Sequence, residues 1–176
     1  LLALCPVFVV IALLIRLDSP GSALFIQRRV GRDGREFFFY KFRSMCADAE
    51  ERLFSLADGN ERSGPVFKMR HDPRVTRIGR ALRKCSLDEL PQLLNVFKGD
   101  MSLVGPRPAL PREVAEYTDR QRLRLAATPG VTGLWQVSGR ATLSFERSLE
   151  LDLYYIEHQT LKLYLKILFM TIPAVL

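Results

Sequence analysis

Lys84-Cys85-Ser86-Leu87-Asp88-Glu89-Leu90-Pro91-Gln92-Leu93-Leu94 sets an adjacent acid pair at the head of an apolar segment, with arginines immediately upstream. Ser86 followed three residues later by Glu89 is a capping-box pattern. It predicts a helix that begins here, with Asp88 in the first turn near the positive end of the dipole, where a carboxylate stays ionised. Leu90, Leu93, Leu94 and Phe97 recur at helical spacing and predict an apolar face that must be buried in protein or lipid. A helix cap alone would account for Ser86, Asp88 and Glu89 as well as a reactive carboxylate does. The neighbouring segments decide between them.

Upstream, Arg74, Arg77, Arg80, Arg83 and Lys84 accumulate after a His71-Asp72-Pro73 turn. Helical spacing puts Arg77, Arg80 and Lys84 on one face with Arg83 beside it. Solvated surface or a lipid-headgroup contact explains such a face, but placed directly before two carboxylates it is also what a diphosphate substrate requires. Residues 24–29 and 36–42 are β-prone runs joined through an Asp33-Gly34 hairpin turn, and Lys41 and Arg43 stand at the end of the aromatic strand. Aromatics among basic residues can stack nucleic-acid bases. The glycines of the usual RNA-binding strand are missing, so core or membrane-edge packing is expected instead. Residues 45–56 predict a helix, and 57–65 a polar loop that is either a connection or a lid.

Residues 1–15 carry no charge and are interrupted by Pro6. They fall short of the ~20 residues of a full membrane span, and they read as a kinked span or a re-entrant hairpin. Arg28, Arg29, Arg32 and Arg35 follow, which by the positive-inside tendency puts the globular part in the cytoplasm. The missing initial Met and the apolar runs at both ends suggest the core of a longer protein.

Downstream, Pro106 and Pro108 bracket Arg107 and stiffen the loop that presents it, a better phosphate clamp than a freely solvated arginine. Residues 111–127 read as one charged helix. The stretch 129–140 holds three glycines, the only Trp and Arg140, yet fits neither the Walker nor the dinucleotide pattern. Residues 145–157 and 161–172 are helical. Leu161, Leu165, Leu168 and Ile172 form a stripe suited to a helix lying on a bilayer, or to a soluble core.

Across all 176 residues a net charge of +7 accompanies 48% hydrophobic residues. The expected partner is polyanionic: anionic lipid, a phosphorylated small molecule or nucleic acid. Three widely spaced cysteines and two histidines indicate neither a disulfide framework nor a zinc site.

Taken together, the motifs resemble the bacterial sugar transferases of the monotopic phosphoglycosyl transferase family, which initiate exopolysaccharide, O-antigen or glycoprotein glycan assembly. The resemblance runs from residues 17–21 through Tyr40-Lys41-Phe42-Arg43-Ser44-Met45, residues 72–80, the acid motif of 86–93, Met101 to Pro108, Pro129 to Arg140 and residues 150–155, in the family's order. It implies an α+β, mostly α fold with a re-entrant or kinked membrane helix (1–16), a small β-hairpin and amphipathic interfacial helices. Residues 17–176 would form a cytoplasmic, membrane-associated catalytic domain. The family breaks its re-entrant helix at a Ser-Pro pair; here the pair reads Cys5-Pro6, a weaker back-bonding partner.

The resemblance implies that Asp88 is the nucleophile, and that Glu89 helps hold Mg2+ and orient phosphates. It carries Arg83 and Arg107 over as phosphate ligands. Arg80, Lys41 and Arg43 are further candidates for phosphate or nucleotide, and Gln136, Arg140 and Asp152 for sugar or nucleotide. The implied substrates are a UDP-sugar and undecaprenyl phosphate, at a phospholipid membrane and on the cytoplasmic face of the bacterial inner membrane. Nucleic acid is not an expected partner, and a homo-oligomer is left open. Three rivals stand beside this reading: one-step transfer with Asp88 and Glu89 holding only metal, a basic nucleic-acid-binding module, and a non-catalytic membrane scaffold.

Overall fold

The computed structural model describes residues 4–56, 69, 71–139 and 142–175. The loop expected at 57–65 and the candidate Arg140 lie outside them. The described chain is a mixed α+β fold, mostly helical, organised around three small apolar cores.

The hairpin forms as expected. Strands β1 (Leu24–Val30) and β2 (Glu36–Phe42) pair antiparallel, from Leu24 opposite Phe42 to Val30 opposite Glu36. Asp33 (φ 56°) and Gly34 (φ 79°) both take left-handed backbone in the turn between them, the geometry for which Asp-Gly is favoured. Phe39 and Phe42 point inward, while Phe38 stays outside beneath the Arg28 guanidinium at 5.8 Å.

The first core joins helix α1 (Cys5–Asp18) to the hairpin and to helix α3 (Arg77–Lys84), through Ile11, Ile15, Phe42 and Leu82. Pro6 occupies the first turn of α1, where its missing N–H would have had no helical partner anyway. A kink at Pro6 would involve residues 1–3, which lie outside the described residues. Asp18 at the end of α1 accepts a hydrogen bond from the Ile78 amide (3.0 Å), and Thr76 caps α3 by accepting from the Gly79 amide (3.0 Å). Gly79 is required for this approach, since a Cβ there would collide with the Ser44 carbonyl.

Two expected helices are shorter than the pattern suggested. In 45–56 only α2 (Glu51–Ser55) is helical, because Met45 bridges to Val75 and the Cys46 amide donates to the Arg74 carbonyl (2.8 Å), which holds the start of the segment extended. The 111–127 run divides into α5 (Pro111–Ala115), α6 (Asp119–Arg122) and a 3-10 turn, Leu123–Ala126. A Thr118–Gln121 capping box restarts the helix in the middle of the run.

The acid motif is where the structure departs most from expectation. Ser86 adopts left-handed backbone (φ 52°, ψ 21°) as the residue that terminates α3, and its side chain caps nothing. Leu87–Glu89 is a single 3-10 turn, and helix α4 (Gln92–Lys98) begins only after Pro91. Asp88 thus precedes α4 rather than lying in its first turn. The most deeply buried residues of α4 are Gln92 and Asn95, while Leu90, Leu93 and Leu94 are half-buried and Phe97 is 82% exposed. Asn95, with 0% exposure, donates from Nδ2 to the Phe38 carbonyl (2.6 Å) and accepts at Oδ1 from the Tyr40 amide (3.2 Å), bonding the open edge of β2.

Parallel strands β3 (Ser102–Val104) and β4 (Gly130–Thr132) sit under helices α7 (Leu134–Val137), α8 (Phe145–Glu157) and α9 (Leu161–Val175). The second core lies there, around Val104, Tyr155 and Ile167; the third gathers Ala109, Tyr117 and Phe145. The glycines of the 129–140 stretch serve packing. A Cβ on Gly130 or Gly133 would strike the Gly105 backbone.

The α9 stripe is left open: Leu161, Leu165 and Ile172 are exposed, and Ile167 turns inward in their place. Helix α1 likewise exposes Val9, Val10, Leu13 and Leu17. Among the described residues, no helix is long and apolar enough to cross a membrane.

Two stability changes follow. Asn95→Ala leaves the Tyr40 amide and the Phe38 carbonyl without their partner and is expected to cost about 2–4 kcal/mol in urea unfolding. Ser86→Gly relieves the left-handed strain and is expected to add about 1 kcal/mol in the same measurement.

Candidate active site

Asp88 is 4% exposed, and its Oδ2 receives the Lys41 ammonium at 3.3 Å. That contact is made because Lys41 sits near the end of β2, whose open edge is bonded to α4 a few residues away. A lysine, rather than a helix dipole, therefore stabilises the carboxylate. Burial draws the Lys41 pKa below its ordinary value, and Asp88 pulls the other way; Arg83 lowers it further.

Arg83 completes the group. Its Nε donates to Ser44 Oγ (2.8 Å), a side chain buried beneath α3. Burial lowers the Arg83 pKa, while Asp88, Asp72 and Glu89 support its charge. Behind it Asp72 and Arg74 form a two-pronged pair, Nη2 to Oδ2 at 2.6 Å and Nε to Oδ1 at 2.9 Å. Arg74 Nη1 also donates to the Ala49 carbonyl (3.0 Å).

The remaining candidates are placed less directly. Arg80 is exposed on α3. Arg43 is buried, and its guanidinium donates to the carbonyls of Ser19 (2.6 Å) and Pro20 (2.8 Å) and to Ser19 Oγ (2.9 Å). It closes the C-terminal end of α1 and has little left to offer a phosphate.

Arg107 is exposed between the buried Pro106 and Pro108, as a presented clamp requires. Its loop is tied to the other end of the hairpin: Arg29 Nη1 donates to the Pro108 carbonyl (3.1 Å), and the Val30 amide donates to the Ala109 carbonyl (2.8 Å). Burial, then the neighbouring Arg107, lowers the Arg29 pKa to about 10. Because Arg29 faces Phe37 while Lys41 lies four residues further along β2, the two attachment points are separated by about 14 Å of strand.

Arg107 overlooks a small cleft, open to solvent, that is lined also by Glu113, Tyr117, Arg124 and Trp135. Gln136 stands beside Trp135 on α7, its Oε1 buried without a hydrogen-bond partner. Asp152 is 1% exposed and pairs with Arg124 at 2.6 Å, so it reaches the cleft only through that arginine. The charge pattern did not single out Arg124 from Arg120 and Arg122; its partner lies 28 residues away on another helix.

Among the described residues, no three His, Cys, Asp or Glu side chains converge as a metal cage. Asp88 with Glu89 nevertheless suits Mg2+, which takes one or two carboxylates and completes its shell with water and substrate phosphate oxygens.

The site is thus a buried carboxylate paired with Lys41, on a scaffold whose α1 and α9 leave apolar faces exposed. Residues 1–176 match the bacterial sugar transferase family, and the chain belongs to it. It is 49% identical over 163 residues to the galactosyl transferase CpsE of Streptococcus agalactiae, covering 92% of this chain and 36% of that protein. Identity is 46% over 160 residues to the undecaprenyl-phosphate galactose phosphotransferase of Salmonella typhimurium, covering 89% and 34%. With the exopolysaccharide production protein ExoY of Sinorhizobium fredii it is 41% over 179 residues, covering 99% and 79%. The chain thus spans about a third of the first two relatives.

The Asp72–Arg74 pair sets an acid-side dependence. Hydrogen bonding from Arg74 depresses the Asp72 pKa below its ordinary 3.8. The stability this contributes is complete above about pH 4 and is lost as pH falls through the folded value. Asp72→Asn is expected to cost about 3 kcal/mol at pH 7 and to flatten the stability curve below pH 4, read by denaturant unfolding across pH.

Proposed function

We propose that this chain transfers a sugar-1-phosphate from a UDP-sugar to undecaprenyl phosphate and releases UMP, as the first membrane step of polysaccharide or glycoconjugate assembly. The site faces the cytoplasmic side of the bacterial inner membrane. The observation that carries this is the buried Asp88 carboxylate held by Lys41 at 3.3 Å with Arg83 alongside. The activity for which the Salmonella relative is named, undecaprenyl-phosphate galactose phosphotransfer, supports the substrate class.

In the first step an Asp88 carboxylate oxygen attacks the sugar-proximal phosphorus. The bond from that phosphorus to the bridging oxygen breaks, UMP departs with the electron pair, and an aspartyl-phosphosugar remains. In the second step an oxygen of undecaprenyl phosphate attacks the same phosphorus, the acyl phosphate bond breaks, and the Asp88 carboxylate is regenerated. Lys41 restrains Asp88 until substrate phosphate competes for its ammonium. Arg83 offsets charge on the non-bridging oxygens at the reacting phosphorus, and Arg107 holds the nucleotide end. Asp88 and Glu89 would hold Mg2+, which when bound neutralises phosphate charge. The open faces of α1 and α9 rest in the bilayer interface and bring the lipid phosphate to the depth of the site.

The test is UMP release from a panel of UDP-sugars, UDP-galactose first, with undecaprenyl phosphate and Mg2+ in nanodiscs. Asp88→Asn is expected to reduce release by at least about 10³-fold while circular dichroism and membrane association stay unchanged. Without lipid acceptor, the wild-type protein should retain a labelled phosphosugar at Asp88. Turnover with no adduct under single-turnover conditions would favour one-step transfer, and full activity of Asp88→Asn would sink the enzyme assignment to this site.

A further inference from the structure

Arg124 has features of a ligand-binding arginine that no charge pattern betrays. It is 8% exposed, yet it lines the cleft beside Arg107. One terminal nitrogen pairs with Asp152 Oδ2 at 2.6 Å and the other donates to Tyr117 Oη at 3.1 Å, while its buried Nε has no hydrogen-bond partner. The indole N–H of Trp135, on the same cleft wall, is also buried and without a partner. Two donors without partners thus sit in the wall of one cleft under the exposed Arg107, and an oxyanion admitted there would satisfy them.

The Asp152 side of the pair points the same way. Buried ion pairs contribute little net stability compared with apolar packing, so this one is better understood through the geometry it imposes. Burial works against the Arg124 charge, and Asp152, Tyr117 and Glu113 outweigh it. Burial also pushes the Asp152 pKa up to about 6, with Arg124 pulling it back. Asp152 is anchored on the rigid helix α8, whereas Arg124 rides on a 3-10 turn. The stiff element orients the guanidinium of the loose one.

We propose that Arg124 is a second phosphate-binding guanidinium in the cleft beneath Arg107, and that Asp152 is its positioning residue. The ligand is a phosphate ester, either the nucleotide diphosphate or the polyprenyl phosphate. The assignment rests on the sugar-phosphate transfer proposed above.

The experiment is a double-mutant cycle on the full chain in nanodiscs, with kcat and KM measured separately for UDP-sugar and for undecaprenyl phosphate. Arg124→Met is expected to raise KM for the UDP-sugar at least about tenfold with kcat within about threefold, and Asp152→Asn to raise it by a smaller factor. In the Arg124→Met background, Asp152→Asn should add nothing. If Asp152→Asn alone folds poorly, the double variant, which removes both buried charges, is still compared with Arg124→Met: unchanged KM supports the positioning role, and a further rise in KM overturns it. Trp135, the only tryptophan, gives a second readout by fluorescence titration with UMP, whose apparent Kd should rise in Arg124→Met.

A rise in KM for undecaprenyl phosphate instead assigns the cleft to the lipid phosphate and keeps Arg124 as its ligand. Equal, additive effects of Asp152→Asn in both backgrounds overturn the positioning role. Lowered melting temperatures with both KM values unchanged overturn the whole inference and leave the transfer reaction standing. Absence of UMP release from every UDP-sugar by the wild-type protein overturns the transfer reaction itself.

Discussion

The hydrogen bonds between the Asn95 carboxamide and the open edge of β2 are the constraint from which the site follows. A two-stranded hairpin is marginal by itself, and its outer edge presents donors and acceptors that must be satisfied. Here one side chain occupies that edge as a short third strand would, accepting from Tyr40 and donating to Phe38. Lys98 reinforces the contact by donating to Tyr40 Oη at 3.0 Å. Helix α4 is thereby locked against β2, and the 3-10 turn that immediately precedes it carries Asp88 to Lys41. The distance between the Asp88 carboxylate and the Lys41 ammonium is thus set by an amide that touches neither.

Elements whose determinants are local were legible in the sequence. The β-prone runs and Asp33-Gly34 define the hairpin without help from the rest of the chain, and α8 keeps the bounds read for it at 145–157. The local structure of the acid motif was misread. Ser86 satisfies the capping pattern, but the preceding helix takes it first as a left-handed terminator, and a residue cannot hold both conformations. The same competition shortened the helix expected at 45–56, where pairing to Val75 prevails over propensity. Arg43 and Arg124 show the limit for charges: one closes a helix end and the other answers a buried carboxylate, and both partners are distant in sequence.

Helix α4 is seated by polar residues. The apolar stripe of Leu90, Leu93, Leu94 and Phe97 was expected to be buried in protein or lipid; its leucines are half-buried, and the residues buried most deeply are Gln92 and Asn95. Polar seating is directional, because a hydrogen-bonded amide fixes rotation and register where a leucine would tolerate sliding. Phe97 is then free to face outward on the opposite side of the same short helix. Phe97 and Asn95 thus lie on two faces of one helix whose seven residues span only about 10 Å, so whatever packs against Phe97 bears on the element that seats Asp88.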